Sequence, residues 1–453
     1  MLSLKLRRAL LVFAALVALT ISGAVSSWAQ SPSTDDLQKK IDDLQQQLSD
    51  VKAKLAAMQP AAPAGAPAGA NAVVATPAAT PSPTPAPTLA SILGPTTLSG
   101  FVDAYYNYNS NSPANFTNGT QPFTPFNNQF GLNMVELVMA KAPSADSRTG
   151  YDVALGFGQA MNAVNGSDPA GLGFAQYLKE AYFSYLAPVG KGLQIDVGKF
   201  VTPAGAEVIE SNANWNYTRS VLFYYAIPYF HYGARAKYAF NDKVALTGYL
   251  VNGWNNIVDT NSGKTAGFTL SLNPNKKFGI AQTLLVGPEQ AASADPGGSN
   301  SSFRQLWDTV ITYSPNSKLS WMLNGDYGRG DRFCLVPGVS SCVTASSPVA
   351  WYGAAGYVKY APSSKYALAA RYEYFGDPNG FATGIGPGVG QHWQEGTFTF
   401  ERNIASHITS RLEYRHDATS LPYFTKGSTP FAEKTQNTAS LGLIFSFTTA
   451  ESH

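Results

Sequence analysis

Apolar and polar residues alternate along most of this chain, from Thr97 to about Phe447. In the stretch RLEYR, residues 411–415, two arginines and a glutamate share one face, while Leu412 and Tyr414 share the other. Successive side chains of a β-strand point to opposite faces, so this repeat predicts strands with one polar and one apolar side. A soluble antiparallel sheet alternates in the same way, so a single segment does not decide the fold.

The number of alternating segments narrows the choice of fold. Sixteen can be placed, beginning near residues 97, 128, 149, 175, 192, 229, 243, 264, 277, 303, 318, 349, 365, 392, 406 and 435. An even number lets both ends of the chain finish on the same side of a membrane. We therefore predict an all-β fold, a transmembrane antiparallel β-barrel of about 16 strands, with 14 or 18 strands as alternatives. The sheet has to close, because lipid offers no partners for free backbone amides.

Two kinds of connection join these segments. Four short turns end in lysine: YAFNDK (238–243), LNPNKK (272–277), YSPNSK (313–318) and YAPSSK (360–365), whereas the connections between them are longer and rich in Gly, Ser and Asn. Short turns on one rim and long loops on the other are typical of outer-membrane barrels. Tyr185, Tyr238, Tyr313 and Tyr360 precede short turns, where we expect an aromatic girdle. The alternative is that they are edge aromatics of a β-sandwich.

The residues before the barrel have other patterns. Residues 1–29 have the basic start, apolar stretch and small-residue cleavage site of a signal peptide, although a retained membrane anchor is the alternative. Residues 30–58 predict a coiled-coil segment that associates chains, or else a helix packed on its own barrel. Residues 59–94 form a Pro/Ala-rich linker that could reach ~100 Å, and residues 95–453 form the barrel. The heptad positions are Leu37, Ile41, Leu44, Leu48, Val51, Leu55 and Met58.

Composition agrees with a wall between lipid and water. The 453 residues are 44% hydrophobic and 13% charged, with a formal net charge of +2. A soluble protein usually carries about 25% charged residues. The nearly neutral balance gives no reason to expect a nucleic-acid partner. The two cysteines, Cys334 and Cys342, fall in one predicted loop, and in an oxidising compartment we expect them to form a disulfide.

One long loop, at about residues 202–228, differs from the others in composition. It carries Glu207, Glu210 and Arg219, with aromatic residues that include Trp215 and Tyr217 between them. A solvated loop rarely has so many aromatic residues. We predict that this loop folds into the barrel and forms a pore constriction. There the two acids would oppose Arg219 and the inward Arg and Lys residues of the wall, and so set a transverse field. The alternative is an outer cap that packs on neighbouring loops or subunits.

Alternation also predicts which charged residues line the interior of the barrel. Both signs occur, so we expect a pore with weak ion selectivity. The predicted inward cations are Arg235, Lys237, Arg304, Lys359, Arg371, Arg411 and Arg415, and the predicted inward acids are Asp103, Glu136, Asp152, Asp196, Asp308, Asp326, Glu373, Glu395, Glu401 and Glu413.

Several stretches together resemble the OmpL-like β-barrel porin family. They are LSGFVDAYYNYN (98–109), KEAYFSYLAP (179–188), the long loop with its TPAGAE and NWNYTRS motifs, and KVALTGYLVNGWNN (243–256). The resemblance covers about residues 95–447 and implies an outer-membrane pore. A sixteen-stranded barrel with an infolded third loop also resembles general trimeric porins. In contrast to the terminal Phe of many such barrels, Phe447 is followed here by TTAESH.

The expected function is passive diffusion of small hydrophilic solutes and ions across the bacterial outer membrane, by a homo-oligomer, with a trimer favoured, embedded in outer-membrane lipid. One alternative is a channel specific for a sugar or an anion, and another is a tether that contacts the cell wall through the N-terminal helix. The five histidines fit no catalytic or metal-ligand pattern, so we expect no enzyme, catalytic residue, metal or cofactor. The tripeptide Arg329–Asp331 matches an adhesion motif that is usually a chance occurrence.

Overall fold

The computed structural model describes Gln46 and residues 94–168, 173, 175–291, 300–333, 347–385 and 389–450. The predicted signal peptide, the predicted linker up to residue 93 and all but Gln46 of the predicted coiled-coil segment lie outside these residues. Cys334 and Cys342 also lie outside them, so the disulfide stays a prediction.

Within the described residues, sixteen strands form one closed antiparallel barrel, which confirms the predicted fold class. Each barrel strand begins within three residues of its predicted start. Strands β16 and β17 form a separate hairpin that the sequence did not predict, because these runs are too short to show alternation. The strands are β1 Thr97–Asn109, β2 Gln129–Lys141, β3 Thr149–Phe157, β4 Leu178–Ala187, β5 Leu193–Val201, β6 Phe230–Asn241, β7 Val244–Val251, β8 Thr265–Asn275, β9 Phe278–Pro288, β10 Phe303–Tyr313, β11 Leu319–Phe333, β12 Ser347–Ser363, β13 Tyr366–Asp377, β14 Gln391–Ala405, β15 Ile408–Thr419, β16 Phe424–Lys426, β17 Thr429–Glu433 and β18 Thr435–Thr448.

The barrel closes between its first and last strands. Strand β1 pairs with β18 over a ladder that runs from Ser99 opposite Thr448 to Asn109 opposite Thr438. Every other barrel strand pairs with its neighbours along the chain, except that β15 passes over the small hairpin to reach β18. Closure leaves none of the sixteen barrel strands described here with an unpaired edge. No helix among the described residues is both long and apolar enough to cross a membrane.

Burial follows the alternation that the sequence shows. On β15, Arg411 and Arg415 are 2% and 1% exposed, whereas Leu412 and Tyr414 between them are 58% and 52% exposed. Phe183 and Leu323 on other strands are also more than half exposed. A monomeric soluble protein rarely presents so many large apolar side chains on its outside. The barrel is therefore polar within and apolar outside, as a wall in lipid requires.

The connections differ in length at the two ends of the barrel. The turns between β6 and β7 and between β8 and β9 each contain two residues, whereas residues 110–128, 158–177 and 202–229 form long connections at the opposite end. Two short helices and a 3₁₀ turn lie in these connections: α1 Gln159–Asn165, the 3₁₀ turn Ser211–Ala213 and α2 Val221–Tyr225. We call residues 202–229 the third outer loop; its apolar residues Tyr217, Leu222 and Phe223 belong to the buried core.

Candidate functional site

The third outer loop contacts side chains from strands that lie far apart around the barrel. The Ala206 amide donates to the side-chain oxygen of Asn324 on β11 at 3.2 Å. Ser211 donates to Asp103 on β1 at 2.5 Å, and Asn216 donates to Thr399 on β14 at 2.8 Å. These wall residues are all buried. The loop is thus fixed to the polar face of the wall on several sides.

Two wall carboxylates hold the backbone of this loop. Glu413 on β15 accepts from the amides of Tyr217 and Thr218 at 2.5 and 2.9 Å. Glu373 on β13 accepts from the amides of Val221 and Leu222 at 2.6 and 2.9 Å. A carboxylate has two oxygens and can bind two successive amides, and such charge-assisted bonds are stronger than neutral ones. Each acid therefore fixes one short piece of the loop.

Helix α2 begins where this second carboxylate binds. Ser220 caps the helix by accepting from the amide of Phe223 at 2.9 Å. The Glu207 carboxylate accepts from the Ser220 amide at 2.6 Å. The first amides of a helix have no partner within the helix, and negative groups near them are stabilising. The local sequence TRSV therefore forms a helix start that needs acids from outside the helix.

An arginine on the wall links the loop to a further acid. Arg371 on β13 donates to Glu207 of the loop at 2.6 Å and to Glu395 on β14 at 2.7 Å. It also donates to the carbonyl oxygen of Thr218 at 2.7 Å. All three charged side chains are buried. Removing one partner from a buried ion pair typically costs about 3–5 kcal/mol, because the other charge is left uncompensated.

A second arginine repeats the arrangement two strands further on. Arg415 on β15 donates to the carbonyl oxygen of Arg219 at 2.6 Å and pairs with Asp417 at 2.7 Å. Arg411 on the same face pairs with Glu401 at 2.7 Å and also donates to the carbonyl oxygen of Ser211. The wall arginines therefore bind carbonyl oxygens of the loop, as the wall acids bind its amides.

The predicted constriction residues are held more tightly than the sequence indicates. The Tyr217 hydroxyl donates to Asp103 at 2.8 Å, and burial raises the pKa of this phenol well above its ordinary value, so it stays a donor. Arg219 donates to the carbonyl oxygens of Tyr217 and Ile209 and lies 5.0 Å from the ring centre of Phe123. Burial lowers the pKa of Arg219 below its ordinary value. Both residues are buried.

Both predicted constriction acids bind cations of the wall. Glu207 binds Arg371 directly. Glu210 binds Lys179 on β4, which also binds Glu136. The acids therefore oppose inward cations of the wall by direct contact, because a charge buried in a low-dielectric interior needs a close partner. The transverse field across the pore stays a prediction.

Other predicted wall residues lie on the inner face, mostly in pairs. Arg235 donates to Asp196 at 2.7 Å, and Lys359 lies 3.6 Å from Glu401. Lys237 is exposed. Asp308 accepts from Asn324 at 2.7 Å, and Arg304 lies 4.9 Å from the ring centre of Trp254. Asp152 is half-buried and Asp326 is buried.

The sequence analysis placed most of the wall residues that bind the loop on the inner face, but it missed two charged residues of the same network. Lys179 and Asp417 were absent from the predicted site, although each lies at an inward position and bears a charge within a strand. On β15 the alternation that places Arg411, Glu413 and Arg415 inward also indicates Asp417. On β4 alternation does not indicate Lys179, because the pairing of β3 with β4 shifts register at this residue. Among the described residues there is no group of three or more His, Cys, Asp or Glu side chains placed to hold a metal ion.

Comparison with known proteins identifies the barrel. Residues 95–447 match the family described as "Putative beta-barrel porin-2, OmpL-like". Similar solved structures include outer-membrane OmpT of Vibrio cholerae (10% identity, TM-score 0.47, covering 78% of this chain and 97% of that one), the channel DcaP of Acinetobacter baumannii (13%, 0.49, 78% and 97%) and an anion-selective porin from Comamonas acidovorans (9%, 0.49, 78% and 99%). A search of curated protein sequences finds no match. Because the family match spans most of the chain, the protein belongs to this OmpL-like β-barrel porin family and is a channel of the bacterial outer membrane.

Proposed function

We propose that the protein is a general porin, through which small hydrophilic solutes and ions diffuse passively, and that its third outer loop narrows the water-filled barrel. The observation that carries this proposal is the set of bonds from the loop to β1, β11, β13, β14 and β15. A loop that reaches strands so far apart around a closed barrel is best explained by a path across its interior. Such a path leaves solutes only the space beside the loop.

The charges of the site favour weak selectivity. Arg371, Arg411 and Arg415 are each paired with an acid, and Glu207 is paired as well. A selective filter needs a ring of charge of one sign facing the permeating ion. Paired charges give no such ring, so neither cations nor anions gain much from entering.

The exposed face of the loop offers a direct test. Val208, Asn212 and Ala213 are its exposed residues, and none is charged. We expect purified protein in planar bilayers to form ohmic channels, and Ala213→Trp to lower the single-channel conductance, because the added ring occupies the proposed passage. Ala439→Trp is the matched control, since Ala439 is exposed on the outward face of β18 and should leave conductance unchanged.

Two results would contradict the proposal. Wild-type protein that forms no conducting channel would exclude the porin function. Equal conductance in the Ala213→Trp and Ala439→Trp proteins would show that solutes do not pass the exposed face of the loop, and hence that the loop forms no constriction there.

The assembly of the protein stays a prediction. A homo-oligomer, with a trimer favoured, and cell-wall contact through residues 30–58 are the expectations from the sequence. Native mass spectrometry of the detergent-solubilised mature protein distinguishes one, two or three chains. Deletion of residues 30–93 followed by the same measurement tests whether the heptad segment holds the chains together.

A further inference from the structure

A cavity of about 490 Å³ lies among the long connections. Its lining comes from four of them: the connection that contains α1, the third outer loop, the connection from β7 to β8 and the connection from β13 to β14. Five aromatic residues are part of this lining, and we call them the aromatic vestibule: Tyr224, Tyr225, Tyr229, Trp254 and Phe381. Pockets that bind small organic molecules typically measure about 300–1,000 Å³.

The cavity is polar but uncharged. Among its described lining residues there is no Asp, Glu, Lys, Arg or His. Polar groups come from Asn162, Ser167, Asn255 and Thr383 instead. An ion that entered would give up hydration without meeting an opposite charge, and that exchange is unfavourable. The lining therefore suits a neutral solute with hydrogen-bonding groups.

The rings are fixed before any solute arrives. Trp254 and Phe381 both contact Trp351, with ring centres 5.9 and 5.5 Å apart. The buried guanidinium of Arg304 lies 4.9 and 5.2 Å from the same two rings. Neither Trp351 nor Arg304 is among the lining residues. A site whose side chains are already ordered loses less conformational entropy on binding.

The polar groups are fixed as well. The side-chain oxygen of Asn255 accepts from the amide of Tyr229 at 2.7 Å, which orients this side chain in the wall of the cavity. The Tyr229 hydroxyl donates to the carbonyl oxygen of Tyr224 at 3.1 Å. The Thr383 hydroxyl donates to Asp377 at 2.8 Å, so its oxygen can still accept.

We propose that the aromatic vestibule binds neutral carbohydrate, a mono- or disaccharide, at the outer entrance of the channel. A sugar ring has apolar C–H faces and a rim of hydroxyl groups. The negative faces of aromatic rings attract such C–H groups, and the amide and hydroxyl side chains bind the rim. This inference rests on the proposed porin function for its role in uptake, but sugar binding itself can be measured without conductance.

The test uses maltose as the probe, with sorbitol and succinate as control solutes. Sorbitol has hydroxyl groups but no ring, and succinate is an anion. We expect maltose, added on the side of the long loops, to block the ion current in a concentration-dependent and saturable way, whereas the two controls do not. Calorimetric titration of maltose into the detergent-solubilised protein should give the same half-saturation.

Substitutions locate the site. In Trp254→Leu, the half-blocking concentration of maltose should rise about tenfold, since the loss of one stacking ring costs up to ~1.5 kcal/mol. Tyr224→Leu, at a partly exposed lining residue, provides a second variant that does not disturb the contacts to Trp351. Trp307→Leu is the matched control, because Trp307 is 45% exposed on the outward face of β10 and should leave the block unchanged.

The outcomes separate the two proposals. If the protein forms no channel, the proposed porin function is overturned. Calorimetry then still measures maltose binding and tests the vestibule proposal independently. No maltose binding in the wild-type protein overturns the vestibule proposal, whether or not the channel conducts. Block by succinate but not by maltose would also overturn it. So would sorbitol binding as strong as maltose binding, or maltose binding by both Trp254→Leu and Tyr224→Leu that is as strong as in the wild-type protein.

Discussion

Among the contacts that hold the third outer loop, those of the Glu413 carboxylate should be the easiest to remove and to detect. Its two oxygens accept four hydrogen bonds: the amides of Tyr217 and Thr218, the Thr218 hydroxyl and the Thr399 hydroxyl, at 2.5–2.9 Å. In Glu413→Gln, one oxygen becomes an NH₂ group that cannot accept, so two of the four donors lose their acceptor. The shape and volume of the side chain stay nearly the same, so the barrel should still fold.

The size of the effect follows from these contacts. A hydrogen bond to a charged group contributes about 1.5–3 kcal/mol, so the loss of two should lower the free energy of opening the loop by at least ~3 kcal/mol. That corresponds to a fall of at least about 100-fold in the protection of its amides against hydrogen exchange. We expect this fall in peptides that cover residues 214–225, together with larger current fluctuations in bilayers.

The control is Asp196→Asn, a similar loss of charge on the wall. Asp196 accepts from Ser184, Gln194 and Arg235, all of which are strand residues. This variant should leave the protection of residues 214–225 unchanged. If Glu413→Gln leaves it unchanged as well, the wall carboxylate does not hold the loop, and the reasoning from the hydrogen bonds is refuted.

Two further predictions concern close packing and selectivity. A Cβ at Gly442 on β18 would lie 2.5 Å from the Tyr217 ring, whereas a Cβ at Gly396 on β14 would have no atom within 4 Å. We therefore expect Gly442→Ala to lower the hydrogen-exchange protection of the third outer loop and Gly396→Ala, the control, to leave it unchanged. Equal protection in the two variants would contradict this packing. In a tenfold KCl gradient, a perfectly selective channel shows a reversal potential of about 59 mV. Because the charges of the site are paired, we expect a value near zero for this protein, and a value near that limit would contradict the proposed weak selectivity.

The barrel could be predicted from the sequence because each of its strands shows a pattern in consecutive residues. Alternation of period two identifies a strand and its two faces at once, and turns such as YSPNSK mark where strands end. The pairing is then settled by closure, since each strand has to pair with its neighbours. The hairpin of β16 and β17 was missed because three and five residues are too few to show a period.

The contacts of the third outer loop could not be predicted in this way. Its unusual composition marked it as a candidate, and alternation placed Glu373 and Glu413 on the inner face. Neither signal indicates that these acids bind backbone amides of the loop, since the residues concerned are about 150 and 195 positions apart in sequence. The contacts of Glu207 with Arg371 and of Glu210 with Lys179 were likewise not visible in any local pattern.

A closed barrel explains why those contacts involve charged side chains. The backbone amides and carbonyls of the wall are already bonded to neighbouring strands, so a segment that packs against the inner face can be held only by side chains. A carboxylate can bind two successive amides of such a segment, and a guanidinium can bind its carbonyl oxygens. Burial then requires that the acids and arginines also neutralise each other, as Arg371 and Glu395 do at 2.7 Å. In this barrel the paired charges on β13, β14 and β15 therefore hold the third outer loop against the inner face, and the weak selectivity that we propose depends on the same pairing.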